Sequence, residues 1–456
     1  VTIGGTPQHI LVYGLGRSGL AVATLADRQG HQIRWFDQDQ DGPTAQEAIA
    51  RGWPLEAQPA LAHVDVCIAA PGVRWDHPDL VTLRERGTEV IGEIEWVART
   101  TSVPMIGVTG TAGKGTVTRW TEAMLKSASI PASAGGNLDP ALSALVHDDL
   151  TPKHWFVVEV SSFQLERSPT LHPRVAVITR LGRDHLDRHG DVANYHAIKR
   201  RLLENLTEND VAVLNADDPV QASWFDTAAT VHGYSASGEH AAAATIRHGR
   251  IVVHEHDLGP IDQLTPQGQH QRENLLAACL AAYAAGATPE AIQRCIPTLD
   301  VAAHRHELIA ERCGVRFVND SVASRELAVR AALEAATPPI AWIVGGRDKG
   351  STPEALRDMI PGRVHHMYGI GEAGAAFTSA WSDLAPATVN REPSGREALR
   401  QVVREAATML RDAGGGTVLL APLAASFDQF KGYEDRGNTF REVVHDLLEE
   451  DAWTAC

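Results

Sequence analysis

Lys114 stands within Gly110-Thr111-Ala112-Gly113-Lys114-Gly115-Thr116, a glycine-rich run between the apolar segment 105–108 and a helix-length stretch, 117–127. Backbone N–H groups gathered at a helix start, with a lysine able to reach a terminal phosphate, suit a nucleoside triphosphate. The match to the common phosphate-loop pattern is partial. That pattern asks for glycine at 108 and a hydroxyl residue at 115, where Val108 and Gly115 stand. A second motif, Gly14-Leu15-Gly16-Arg17-Ser18-Gly19, follows the apolar run 10–13 and opens a helix over 18–28. Its glycines allow a tight turn and close approach of a diphosphate to the backbone. Asp37 ends the next strand, 18 residues beyond Gly19 and just before Gln38, where a ribose-binding acid is expected. A turn needed only for packing is the plainer alternative. The motif alone does not separate a nicotinamide dinucleotide from a UDP-sugar.

Acids, histidines and a lysine follow at the ends of further apolar runs. Glu159, in Glu159-Val160-Ser161-Ser162-Phe163-Gln164-Leu165, projects from the end of the strand 155–158. Asp184-His185-Leu186-Asp187 comes just after the strand 175–178, and Lys199 lies on the helix beyond, in Tyr195-His196-Ala197-Ile198-Lys199.

The elements that must position these residues are strands alternating with helices. Apolar runs at 10–13, 105–108, 155–158, 175–178, 211–214, 340–344 and 418–420 each end in glycine or a polar cluster, and most precede helix-length segments. That alternation predicts α/β architecture with parallel sheets. Alanine-rich stretches at 275–287 and 328–336 read as packed helices, and two hairpins are expected, 244–246 with 251–254 and 306–310 with 315–318. Polar or proline-containing punctuation at 100–104 and 296–303 suggests three domains.

Together with Asn215-Ala216-Asp217-Asp218-Pro219, Asn319-Asp320-Ser321, Gly345-Gly346-Arg347-Asp348-Lys349-Gly350 and Ala425-Ser426-Phe427-Asp428-Gln429-Phe430-Lys431, these motifs fall in one order from Gly14 to Phe440. The ordered set resembles the Mur ligases, and within them the branch that adds D-glutamate to UDP-N-acetylmuramoyl-L-alanine. The resemblance implies three domains: a UDP-substrate-binding Rossmann-like domain (1–100), a central P-loop-type ATPase domain (101–298) and a C-terminal Rossmann-like domain that brings the amino acid (299–456). The implied reaction is ATP-dependent amide-bond formation through an acyl phosphate, with ATP and Mg²⁺ as cofactors, in the peptidoglycan precursor route of the cytoplasm. Two anions must meet in such a step, so the site needs cations and backbone donors.

Residue by residue, the resemblance assigns Glu159, His185 and Lys199 to the metal, the last as a carbamate that turns a cation into a carboxylate-like ligand. The plainer alternatives are a backbone-bonded histidine at 185 and a solvated lysine beside Arg200 and Arg201. Lys114 joins these three as a catalytic group. Gly110, Thr111, Gly113, Lys114, Gly115, Thr116, Asn274, Arg305 and Asp320 fall at ATP positions, with a helix cap the alternative for Asn274 and a buried ion pair for Arg305 and Asp320. Leu15, Gly16, Arg17, Ser18, Asp37, Gln38, Pro71, Gly72 and Asn137 fall at UDP-substrate positions. Lys349, Ser426 and Tyr433 match the D-glutamate pocket.

Departures accompany the match. Ala112, Gly115, Arg180, Gln271, Val322 and Arg325 replace an asparagine, a hydroxyl residue, an asparagine, an asparagine, a lysine and an asparagine of the family pattern. Val322 cannot pair with a substrate carboxylate. If 322 and 325 share a helical turn as i and i+3, Arg325 reaches the space instead, which adds it to the D-glutamate candidates. Ser321 or Ser324 would cap that helix.

Composition bounds the rest. The chain has 456 residues, net charge −16 and hydrophobic residues at 44%. Such a chain buries a proper core and disfavours general nucleic-acid binding. No apolar run approaches a membrane span, and no signal peptide is expected at residues 1–9. Five scattered cysteines without a C-x-x-C pair predict reduced thiols. A monomer is expected. Two other classes compete: a Mur-type ligase with a different amino acid, and a nucleotide-binding paralogue without turnover. A lone nicotinamide enzyme leaves the second glycine loop unexplained.

Overall fold

The computed structural model describes residues 6–264, 268–300, 303–348 and 350–454. Among these, strands form three sheets. The first is all parallel, in the order Gln32–Phe36, His9–Tyr13, Val66–Ala69, Glu89–Ile91. The second has nine strands. Its parallel part runs Thr230–Ser235, Val211–Asn215, Val175–Ile178, Met105–Thr109, Trp155–Glu159, Ala132–Gly136, and Ala244–Arg247 joins its Thr230–Ser235 edge. The expected hairpin continues from there, antiparallel through Arg250–Val253 to His256–Pro260. The third sheet begins with the other expected hairpin, Glu307–Arg312 against Val315–Asn319, and continues in parallel through Gly416–Leu420, Ile340–Gly345, Val364–Ile370 and Ala387–Val389.

The chain divides into two compact units, Val1–Gln263 with Glu273–Thr298, and Leu264–Arg272 with Leu299–Cys456. The first two sheets lie in the first unit and the third in the second. Parallel strands are buried on both faces, which is why they read as continuous apolar runs. In Ile340–Gly345, Trp342 and Val344 pack into one apolar layer, and Ala341 and Ile343 into the layer on the opposite face. Likewise Ile10 and Val12 face one layer, and Leu11 and Tyr13 the other.

Helix starts differ from the sequence expectation at the functional loops. The first helix opens at Arg17 and the glycine-loop helix at Lys114, so Lys114 occupies the first turn. The expected helix over 324–336 is Glu326–Ala335, and neither Ser321 nor Ser324 caps it: Arg325 is its N-cap residue, in extended backbone. Residues 320–324 are folded instead by turn bonds, Ala323 N–H to Asp320 O and Ser324 N–H to Val322 O. Residues 322 and 325 therefore do not share a helical face, and the spacing argument for Arg325 fails. Cysteine usage is also corrected. Cys67, Cys279 and Cys295 are free and buried, whereas Cys313 is disulfide-bonded. Separation along the sequence does not limit approach in space.

Candidate active site

The strand Met105–Thr109 ends in a loop whose shape depends on glycine. Gly110 and Gly113 have φ of 152° and 87°. A Cβ at Gly110 would lie 2.0 Å from Thr179 Oγ1, and one at Gly113 2.2 Å from Asn274 Oδ1. Asn274 thus sits against the loop, where the sequence placed an ATP contact. The loop is fixed from one side by Arg180, whose carbonyl accepts from the N–H groups of Thr111 (2.9 Å) and Ala112 (3.2 Å). The Arg180 guanidinium grips Glu273 through two bonds, 3.1 and 3.0 Å. One residue therefore braces both the loop and the helix Gln269–Ala284 at the position next to Asn274.

Lys114 Nζ donates to Gly110 O (3.1 Å) and Thr111 O (3.0 Å). Lys199, 1% exposed, donates to the same Gly110 carbonyl at 2.6 Å, and its Nζ lies over the Tyr195 ring at 4.5 Å. Burial, reinforced by Lys114, holds the Lys199 amine well below the usual lysine range, against the opposing pull of Asp184 and Glu159. Glu159 is 7% exposed and accepts from Asn137 Nδ2 at 2.6 Å. A Cβ at Gly115 would lie 3.0 Å from Glu159 Oε2, so the position lacking a hydroxyl faces this carboxylate. His185 takes a left-handed φ of 52°, rare for a residue with a side chain. Its ring packs 4.7 Å from Phe163, and its Nε2 lies 3.4 Å from Asp184 Oδ2.

The N-terminal motif forms a second locus in the same unit. Gly14 has φ of 95°, and a Cβ at Gly19 would meet Gly14 O at 1.9 Å, so the helix packs on the loop only with glycine there. Asp37 accepts from Leu15 N–H at 2.5 Å and from Asp39 N–H at 2.8 Å. Gly14, Asp37, Gln38, Gly72 and Val73 line a cavity of about 350 Å³. Gly16 caps the helix and Ser18 lies in its first turn. Arg17 points elsewhere: it donates to Asn137 O at 3.1 Å and pairs with Asp139 at 3.2 Å. Asn137 therefore links the first glycine motif to Glu159.

In the second unit Asp320 is buried and pushed up to about 7 by desolvation, opposed by Arg305. Tyr433 O accepts from Ser321 Oγ at 2.8 Å, and Ser426 is buried nearby in sequence. Arg325 caps its helix as described, and Lys349 lies outside the described residues.

Sequence reasoning missed four partners: Glu273, Arg167, Arg188 and Arg436. Arg436 is buried and donates to Ser321 Oγ (3.1 Å), Ser321 O (2.9 Å) and Ala424 O (3.1 Å). Among the described residues no group of three or more His, Cys, Asp or Glu side chains is placed to hold a metal. No described helix is long and apolar enough to cross a membrane.

A phosphate-type loop, a buried lysine and acid beside it, and a separate diphosphate-type turn, all in α/β units, define a nucleotide-using enzyme. The family of the Mur ligase middle domain matches residues 108–282, and the Mur ligase MurD-like N-terminal domain matches residues 8–92. The chain is 41% identical over 451 residues to the UDP-N-acetylmuramoylalanine–D-glutamate ligase of Thermus thermophilus, covering 97% of this chain and 99% of that one. It is 39% identical to the protein of the same name from Deinococcus radiodurans, covering 98% and 93%. The chain belongs to the Mur ligase family. Solved structures with the same fold include the MurF ligase of Thermotoga maritima in complex with ADP (TM-score 0.62, 16% identity, 98% of each chain). A pseudomurein peptide ligase type C from Methanothermus fervidus is also similar (TM-score 0.60, 16% identity, 96% and 100%).

Proposed function

We propose that the chain joins D-glutamate to UDP-N-acetylmuramoyl-L-alanine at the expense of ATP, by way of an acyl phosphate, in the cytoplasmic synthesis of peptidoglycan precursors. The three ranges 1–100, 101–298 and 299–456, each built around one sheet, would bind the UDP-substrate, ATP and the amino acid. The single observation that carries the reading is Lys199: a buried amine held below its usual range, bonded to the first glycine of the ATP loop at 2.6 Å. A neutral amine attacks CO₂; the N–C bond forms, a proton leaves, and a carboxylate results. That product would add oxygen donors beside the glycine loop, where the Glu159 carboxylate also lies. Oxygen donors suit Mg²⁺, so Glu159 and carbamylated Lys199 would hold it, with His185 as the nitrogen ligand that the resemblance assigns, and it would neutralise phosphate charge. Lys114 and the loop amides would bind the phosphates, Asn274 the adenine, and the cavity at Asp37, Gln38 and Gly72 the UDP end. Ser426 and Tyr433, with Lys349, would receive D-glutamate.

The test is phosphate release from ATP. Release that requires UDP-N-acetylmuramoyl-L-alanine and is completed only with D-glutamate supports the reading. Equal turnover with another amino acid would point to a different acceptor, and nucleotide binding without turnover would reassign the chain as a binding paralogue.

A further inference from the structure

The loop after Val66–Ala69 is held by two arginines from distant parts of the first unit. Arg167, 1% exposed, donates to the carbonyls of Ala69 (3.1 Å), Ala70 and Val73. Arg188 donates to Pro71 O at 2.9 Å and Val73 O at 3.3 Å, and its other side grips Glu166 at 2.5 Å. Buried carbonyls need donors, and an arginine fork serves several at fixed angles. The same loop presents Gly72 and Val73 to the N-terminal cavity.

Both arginines belong to segments that carry catalytic groups. Arg167 follows the helix Ser162–Leu165, which begins just past Glu159. Arg188 lies in the short helix Leu186–His189, whose cap residue is His185. Phe163 lies between Arg188 and His185, with the Arg188 guanidinium 4.1 Å from its ring centre and the His185 ring at 4.7 Å. A rigid path of packed and hydrogen-bonded groups therefore runs from the cavity wall to His185. Charge alone does not explain it, because Glu166 already neutralises Arg188 while the fork still reaches across to the loop.

We propose that Arg188, supported by Arg167, is a positioning residue that couples occupancy of the N-terminal cavity to the setting of His185. Substrate pressing on Gly72 and Val73 moves or stiffens the loop, and the guanidinium passes this on to the helix Leu186–His189. The proposal rests on the assignment of the cavity to the UDP-substrate.

The experiment is hydrogen exchange on the full chain with UDP-N-acetylmuramoyl-L-alanine alone, without ATP or divalent cation, and with calorimetry to establish saturation of each variant. The amides of Arg188, His189 and Gly190 are bonded to His185 O and Leu186 O and report on the helix. In the wild type, saturation should slow their exchange about fivefold or more, the low end of typical coupling between sites. In Arg188→Ala the slowing should fall below about twofold, while exchange in the strand Met105–Thr109 is unchanged. Arg188→Lys keeps the charge for Glu166 but not the fork, and should behave like the alanine variant; it serves if Arg188→Ala does not fold. Heat of binding without slowing in the wild type, or full slowing in Arg188→Lys, would overturn the coupling while leaving the proposed function intact. Absence of any heat in the wild type would overturn both.

Discussion

Arg180 stands where the family pattern has asparagine, and its pairing with Glu273 makes a quantitative test. The two bonds are 3.1 and 3.0 Å, and the side chains are 22% and 10% exposed. Removing one partner of a buried pair costs roughly 3–5 kcal/mol, because the other is left uncompensated. Partial exposure lowers that here to about 2–3 kcal/mol for Arg180→Ala or Glu273→Ala. At about 1–2 °C per kcal/mol for a unit of this size, each single variant should melt roughly 2–6 °C lower. The double variant should melt close to the singles rather than at their sum, since the pair is lost only once. The effect on ATP is bounded separately. The Arg180 carbonyl still holds the loop in Arg180→Ala, so the side-chain pair is expected to act on nucleotide through the helix beside Asn274 and to cost no more than Asn274→Ala. Two neutral bonds at ~0.5–1.5 kcal/mol each set that ceiling at about 5–150-fold in Kd. Calorimetry with a non-hydrolysable ATP analogue should therefore rank Asn274→Ala weakest, Arg180→Ala intermediate and wild type tightest. Arg180→Ala with wild-type affinity, beside a weakened Asn274→Ala, would refute the bracing role. Additive melting losses in the double variant would refute the pair itself.

Lys199→Ala should lose most activity, and a short-chain carboxylic acid should restore part of it; absence of any rescue in phosphate-release assays would count against the carbamate. Gly115→Ser should lower the Mg²⁺ concentration for half-maximal activity by up to about tenfold, the scale of one ordinary hydrogen bond at ~0.5–1.5 kcal/mol, since the new side chain would face Glu159. An unchanged magnesium titration would mean that Thr116 or water already serves. Glu93 is buried, bonded to Ser143 N–H at 2.6 Å and pushed up to about 7, chiefly by desolvation. Its contribution to stability is fully present below pH 4.5 and is lost as pH rises through about 7. Denaturant melts of Glu93→Gln should lack that decline, and a slope equal to the wild type's would show that Glu93 does not cause it.

The parts of the fold legible in the sequence are those with local causes. Strands buried on both faces leave continuous apolar runs, and sharp turns leave glycine, so the glycine loops and the ends of Trp155–Glu159 and Val175–Ile178 were readable. The arginines that organise the loops were not. Arg167 bonds carbonyls of Ala69 and Val73, 98 and 94 positions away, and a main-chain acceptor has no residue type to recognise. Arg180 and Glu273, 93 positions apart, look separately like surface charges. Asp37 illustrates the opposite case. Its spacing fits a nucleotide role, yet its carboxylate also serves Leu15 N–H at 2.5 Å, so that the same residue shapes the loop it was expected only to complement.

The second unit shows why residue type cannot be separated from backbone. With residues 320–324 in turns and the helix beginning at Glu326, the replacement of lysine by Val322 is not answered by a helical neighbour at 325. The second unit nevertheless holds a buried cation against the adjacent residue: Arg436, bonded to both the side chain and the carbonyl of Ser321. Burial pushes its guanidinium down to about 10, which leaves it charged at neutral pH. Its Nη1 has no hydrogen-bond partner among the described residues, and a Cβ at Gly346 would lie 3.1 Å away. A larger residue at 346 would therefore press on the guanidinium and on Ala425 O, only 2.2 Å from that Cβ. The two consecutive glycines, at φ of 127° for Gly345 and 128° for Gly346, leave room for this buried guanidinium beside the strand end. The sequence around 322 shows only the loss of a charge; the fold shows a second charge held beside the same backbone.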